Sequence, residues 1–354
     1  MATLFKPLSS DSLGILHRLR DNNFDALRLV FASMVVLYHM GILSQAPSLA
    51  WSLHVSASFA VQAFFVVSGF LVTMSFENSS SVKSYAFKRL RRITPAYIGV
   101  VIAAAVGLST ISTLPLDEYF TNRELWRYVV FNLVLSNFSA PSLPGVFQSN
   151  YMTVVNGSLW TIKIEVAFYC LVPFIVWATR RAGTFKVLAT IFIASIIWRL
   201  GFGTAAAATG MEIYGKLAKQ RPGQLCFFAG GAWAYFRTRD GRSISGLFAA
   251  AGIAVYAVSE GWFYDLAAPL AVTAVVYWAA IAGPRMPAAA KHGDFSYGVY
   301  LYHFPLIQTF VALGLYQWSP LAGWVASVTV VVFCAVMSWR FVEHPMLHRS
   351  AVHA

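Results

Sequence analysis

Charge is what this chain has least of: 11% of its 354 residues are charged and 58% are apolar, where a water-soluble domain carries about a quarter charged residues. That deficit excludes a water-soluble fold. Cysteine is nearly as scarce. Cys170, Cys226 and Cys334 fall inside apolar runs with no C-x-x-C spacing, so neither a disulfide framework nor a metal site is expected; they read as small core or lipid-facing residues. No complete G-x-x-x-x-G-K-[ST] loop, G-x-S-x-G elbow or H-E-x-x-H pair is present. Those motifs build phosphate cradles, nucleophiles and zinc sites, so ATP hydrolysis, serine-hydrolase and zinc chemistry have no support. Internal repeats, Gly/Ser linkers and low-complexity tracts are also missing.

What fills the chain instead is a series of apolar runs of roughly 18 to 23 residues, each long enough to cross a hydrocarbon core of about 30 Å as a helix. Ten spans are expected, near 26–45, 55–76, 94–114, 158–178, 185–201, 223–237, 244–259, 263–283, 295–317 and 320–340. The first follows some 24 mixed residues and is too long for a cleaved signal peptide. The stretch 125–138 is short and charged at its start, and reads as a surface or re-entrant helix.

The net charge of +12 lies in short clusters between apolar runs, which argues against a nucleic-acid surface. It sets topology. With the N-terminus in the cytoplasm, the cytoplasmic segments collect Arg18, Arg20, the basic run Lys83 to Arg92, Arg180, Arg181, Arg237, Arg239, Arg242, Lys291 and Arg349, while the outer ones hold little beyond Arg123, Arg127, Lys216, Lys219 and Arg221. The positive-inside rule selects this orientation, with both termini cytoplasmic. The expected organisation is a cytoplasmic segment 1–24, one membrane domain 25–345 and a short tail 346–354. The long loop 115–157 then lies outside, uncharged from Phe138 to Asn156 and rich in Ser, Pro and Asn.

Ionisable groups inside spans are costly and so mark function first. Arg28 and His39 are eleven residues apart, about 1100° or three turns plus about 20°, so they share one helix face with roughly 16 Å of rise between them. A phosphate clamp and a general base can share that helix, since this is about the reach from the phosphates to the thiol of coenzyme A. An interfacial Asp25–Arg28 pair and a hydrogen-bonded core histidine fit the same spacing. Glu165, in Gly157-Ser-Leu-Trp-Thr-Ile-Lys-Ile-Glu165, sits at matching depth in its own span, where a carboxylate can orient an imidazole or raise its basicity; pairing with Lys163 is the alternative. Arg89 and Arg92 belong to four cations in five residues, a set suited to phosphate or to anionic lipid headgroups. Tyr297, Tyr300 and His303 open the ninth span beside Pro305, and Glu343-His-Pro345 closes the tenth.

In this order these segments resemble the acyltransferase-3 family of bacterial membrane acyltransferases. Arg28 to His39 looks like its basic-residue, ten-spacer, histidine motif. Arg89 and Arg92, followed by Pro95 and Tyr97, resemble its Arg-x-x-Arg motif. Ser158 to Tyr169 is similar to S-L-W-S-L-x-x-E-x-x-F-Y, with Thr161 replacing the second serine. Ser296 to Pro305 looks like S-Y-x-x-Y-L-x-H-x-P, and Glu343 with Pro345 looks like the closing E-x-P. The resemblance implies a ten-helix, all-α membrane enzyme of the cell inner membrane that moves acetyl or a similar group from cytoplasmic acyl-CoA to a hydroxyl of a lipid-linked or exported saccharide. It implies His39 as general base or transient acyl carrier with Glu165 in support, and Arg28, Arg89 and Arg92 on the coenzyme A phosphates; the residue pattern leads us to expect no metal and no nucleic acid. Trp160, Tyr300 and His303 are read as substrate-contacting. The rival reading is a multi-span transporter of a small anion or sugar, because buried His, Glu and Arg also build ion pathways.

Overall fold

The computed structural model of the chain describes residues 22–286 and 293–348. The regular elements among them are all helical, as suits a hydrocarbon setting in which each backbone group must find its partner within its own segment. In chain order they are α1 (Phe24–Ser44), α2 (Ala57–Glu77), α3 (Val82–Gly107), the short α4 (Leu116–Thr121) and α5 (Arg123–Leu133), α6 (Trp160–Ala182), α7 (Thr184–Thr209), α8 (Glu212–Ala218) and α9 (Arg221–Arg239). They continue as α10 (Gly246–Val258), α11 (Gly261–Tyr277), α12 (Ser296–Ala312), α13 (Leu315–Trp318), α14 (Pro320–Ser338) and α15 (His344–His348). Arg18, Arg20, Lys291 and Arg349, with nearly all of the segment 1–24 and most of the tail 346–354, lie outside the described residues.

Among the described residues, seven stretches are long and apolar enough to cross a membrane: 24–44, 47–77, 82–111, 157–182, 184–209, 261–282 and 320–347. The other three expected spans fall on α9, α10 and α12. Of these, α10 has 13 residues and α12 has 17, while α9 begins at Arg221 and ends in Arg237 and Arg239. Length and composition by themselves therefore identify seven of the ten. The stretch expected at 125–138 is α5, whose 11 residues are too few to span. The largest boundary difference is α3, which starts at Val82 instead of near 94. Lys and Arg are good helix formers with stems that cover apolar surface, so Arg89 and Arg92 ride on the helix instead of preceding it.

The chain divides into two compact units, one from 1–28, 62–82 and 167–289, the other from 29–61, 83–166 and 290–354. In the first unit, glycine sets how closely α2 and α9 approach. A Cβ on Gly69 would overlap the Phe228 carbonyl oxygen, and one on Gly231 would overlap that of Val66, so neither position admits a side chain. Glu77 at the end of α2 receives Arg180 of α6 at 2.6 Å and Arg239 of α9 at 3.1 Å, tying three helix ends together. Arg199 of α7 is buried against Asp265 at 2.5 Å and lies over the Phe227 ring.

The second unit holds His39, Arg89, Arg92, Glu165, Tyr300 and His303. Its long connection between α3 and α6 is pinned locally by Tyr97, whose hydroxyl donates to the Asn132 carbonyl at 2.7 Å, and by Tyr119, which donates to Ala105 at 2.8 Å. A π-helical turn, Trp339–Glu343, follows α14 and brings the Glu343 side chain inward to 1% exposure.

Candidate active site

The site is built around a proline. Pro305 stands inside α12, and because it has no N–H it leaves the Leu301 carbonyl, four residues back, without its helical partner. The Asn156 side chain supplies the missing donor at 2.9 Å. The same side chain accepts from the Ser158 backbone N–H at 3.1 Å and so caps the 3-10 turn Gly157–Leu159 that opens α6. One turn further along α12, the buried Gln308 donates to the Met152 and Val154 carbonyls at 2.7 and 2.9 Å and accepts from Asn150 at 2.9 Å. The end of the long loop is thereby held on α12 at Asn150, Met152, Val154 and Asn156.

That attachment sets the position of the imidazoles. His303 is fully buried; its Nδ1 lies 2.8 Å from the Tyr300 carbonyl and 3.2 Å from that of Val299, and its Nε2 lies 3.0 Å from His39 Nδ1 and 3.2 Å from Ser158 Oγ. Carbonyls only accept, so His303 carries its proton on Nδ1. His39, on α1, is half-buried and also hydrogen-bonds the Val35 backbone. Its Nε2 makes no side-chain hydrogen bond among the described residues. The Phe304 ring meets it edge-on at 5.0 Å, and Gly157 lets that ring sit close, since a Cβ there would lie 2.7 Å from it.

Tyr300 continues the network. Its hydroxyl is 2.8 Å from Thr161 Oγ1 and donates to the Ser158 carbonyl at 3.2 Å, so the hydroxyl kept by Thr161 in place of serine has a partner. Glu165 stands one turn beyond Thr161 on α6, within electrostatic reach of the Tyr300 hydroxyl. The imidazole beside His39 is that of His303, and no hydrogen bond between Glu165 and His39 is resolved. With Tyr300 at 7% and His303 at 0% exposure, a ligand reaching either must first displace what covers it. Trp160 is half-buried at the start of α6.

The cations separate into different settings. Arg28 shares α1 with His39 and faces Asp25 at 3.9 Å. Arg89 is half-buried on α3. Arg92 is committed: its guanidinium meets Asp294 at 2.5 Å and Glu343 at 3.5 Å, and lies over the rings of Tyr297 and Trp339 at 5.7 and 5.9 Å. Ser296 and Ser338 hold the other oxygens of those carboxylates, at 2.6 and 3.0 Å. A phosphate bound at Arg92 would share its guanidinium with these carboxylates.

A model of the acyltransferase-3 domain, described as an acyltransferase domain, matches residues 21–340. The chain belongs to the acyltransferase-3 family. This acyltransferase is 26% identical over 339 residues to an O-acetyl transferase of Shigella phage Sf6, covering 94% of this chain and 98% of the relative. It is 27% identical over 367 residues to nodulation protein 10 of Rhizobium leguminosarum bv. viciae, covering 92% and 93%. No solved structure matches it. The chain is thus a multi-pass membrane acyltransferase.

Several residues of the candidate site escape sequence reading. Asn156, Asn150 and Gln308 are uncharged, and the cost of an ionisable group in lipid, the signal that found His39, says nothing of them. The signal that was available for Asn156 is Pro305, because a proline inside a span announces a carbonyl that needs a donor from elsewhere. Asp294 sits two residues before the start of α12 and reads from sequence as an ordinary helix-start acid.

Proposed function

We propose that this acyltransferase takes an acyl group, acetyl above all, from acyl-CoA on the cytoplasmic side of the inner membrane and delivers it to a hydroxyl of a lipid-linked or exported saccharide. One observation carries the reading: His39 has its Nδ1 engaged by His303 at 3.0 Å while its Nε2 has no side-chain partner among the described residues, which leaves Nε2 as the nitrogen able to take a proton. Nε2 removes the acceptor's hydroxyl proton as that oxygen attacks the thioester carbonyl. The carbon–sulfur bond then breaks, and the imidazolium returns the proton to the departing thiolate, leaving His39 neutral and coenzyme A as a thiol. The charge of Glu165 favours the transient imidazolium. Arg28, Arg89 and Arg92 draw the phosphates of coenzyme A, Arg92 while also facing its carboxylates. The name of the Sf6 relative supports O-acetyl transfer, and the family resemblance supports a saccharide acceptor.

The test is transfer of labelled acetyl from acetyl-CoA in membranes bearing wild-type chain or His39→Ala, followed by mass spectrometry of extracted glycans and lipids. A glycan gaining one acetyl group with wild-type alone supports the proposal. Failure of the wild-type chain to bind or turn over acyl-CoA with any acceptor returns the transporter reading.

A further inference from the structure

We infer that His303 acts through His39, as a positioning residue that dictates which nitrogen of His39 carries the proton; the inference rests on the general-base reading above. One line of atoms sets where each proton lies. The Tyr300 and Val299 carbonyls face His303 Nδ1 at 2.8 and 3.2 Å, and since a carbonyl cannot donate, that nitrogen holds the proton of the neutral ring. His303 Nε2 therefore presents a lone pair. His39 Nδ1 stands 3.0 Å from it, and two facing lone pairs at that distance repel, so His39 Nδ1 carries a proton and donates it. The lone pair of His39 is then on Nε2. When His39 becomes an imidazolium, the Nδ1–H bond to His303 persists, so the ring does not need to turn between the two proton transfers.

Burial separates this role from substrate contact. His303 is 0% exposed, and its neighbours are His39, Ser158 and two backbone carbonyls. The Ser158 hydroxyl, 3.2 Å away, is a second donor to the same lone pair and helps hold the ring in this orientation. Asn156 fixes Ser158 from the loop side, through its bonds to the Ser158 N–H and the Leu301 carbonyl. The second histidine thus occupies the place a carboxylate takes in a Ser-His-Asp triad, where its job is to hold tautomer and orientation. A neutral acceptor does that without placing a second charge in an apolar setting.

The test uses the full chain, labelled with 15N-histidine in lipid nanodiscs, the His39 signals being assigned by difference from His39→Gln. Wild-type is expected to show His39 protonated on Nδ1. In His303→Leu, which cannot accept, the proton moves to Nε2 and kcat for acetyl transfer falls about 100-fold or more, in line with the loss of a positioned general base, while KM for the acceptor changes less than about threefold. His303→Gln, whose amide oxygen can accept, restores the Nδ1 proton and part of kcat. If His303→Leu fails to fold, His303→Asn, with a shorter amide that leaves the gap open, is expected to behave as His303→Leu does. A His39 still protonated on Nδ1 in the leucine or asparagine variant would assign the tautomer to the Val35 backbone and overturn the inference. So would a kcat left intact with acceptor KM raised, which would make His303 a substrate contact. The spectra decide the tautomer even where wild-type transfers no acetyl, so a failure of the general-base reading stays distinguishable.

Discussion

Two polar clusters in the second unit look alike in sequence and differ in chemistry. Around Arg92, a guanidinium gathers two carboxylates and two aromatic rings. Around His39, neutral groups pass hydrogen bonds from the Tyr300 carbonyl through His303, and the last nitrogen of the chain has no side-chain partner among the described residues. Both clusters are costly in an apolar setting, so the cost alone marks them equally. What separates them, on the function proposed above, is whether a reactive atom remains over: the charged cluster is then a tie between helices, and the neutral one presents the proposed base.

If that contrast holds, removing the lone pair should cost activity without structure. His39→Ala is expected to lower acetyl transfer about 10²- to 10⁴-fold, the range for a positioned general base, with an unfolding midpoint in detergent that stays at the wild-type value; a large fall in the midpoint would move His39 into the structural class. Arg92→Ala should do the reverse. It strands Glu343, 1% exposed, and breaking one partner of a buried ion pair costs about 3–5 kcal/mol, read as a lower midpoint and poor recovery of folded protein. The triple change Arg92→Met, Asp294→Asn and Glu343→Met should regain much of that loss, because it removes the guanidinium and both of its carboxylate partners at once. A folded Arg92→Ala protein with a weakened KM for acetyl-CoA would instead make Arg92 a phosphate ligand and erase the contrast.

The contrast was half legible beforehand. The helical class and the placing of Asp25 beside Arg28 follow from composition and spacing, and motif order singles out Arg28, His39, Glu165, Arg89, Arg92, Tyr300 and His303 as candidates. Partnership does not. Spacing placed His39 and Glu165 at equal depth, yet depth is one coordinate of three, and the imidazole that meets His39 comes from α12. Nothing local in Lys88 to Tyr97 tells that Arg92 is held by Asp294 and Glu343, two residues some 200 or more positions downstream. Length and apolarity do not by themselves pick out the expected spans on α9, α10 and α12, because an apolar run counts residues, while a helix ends where Gly, Pro or charge ends it, as α10 does at 13 residues.

A smaller effect tests how the neutral cluster is held. Asn156→Ala removes the donor that satisfies the Leu301 carbonyl, and a buried polar group left unmet costs about 1–3 kcal/mol. Replacing Pro305 with Ala restores a backbone N–H for that carbonyl, so Asn156→Ala should cost clearly less in the Pro305→Ala background. Additive costs in that double-mutant cycle would show that Asn156 and Pro305 act separately.

The smallest expected effect is the most discriminating. Ser158→Ala deletes the second donor to His303 Nε2 but leaves the stronger contact to His39 at 3.0 Å. A typical hydrogen bond contributes about 0.5–1.5 kcal/mol, so kcat should fall about two- to tenfold with the His39 tautomer unchanged. Thr161→Val, which removes the hydroxyl facing Tyr300 at 2.8 Å, should cost a similar amount in stability and less in kcat, because it touches the network one step further from the reacting nitrogen. Were Ser158→Ala as damaging as His39→Ala, the serine hydroxyl itself would be the group exchanging protons with the substrate, and the reactive atom of the neutral cluster would have to be sought on α6 instead of α1.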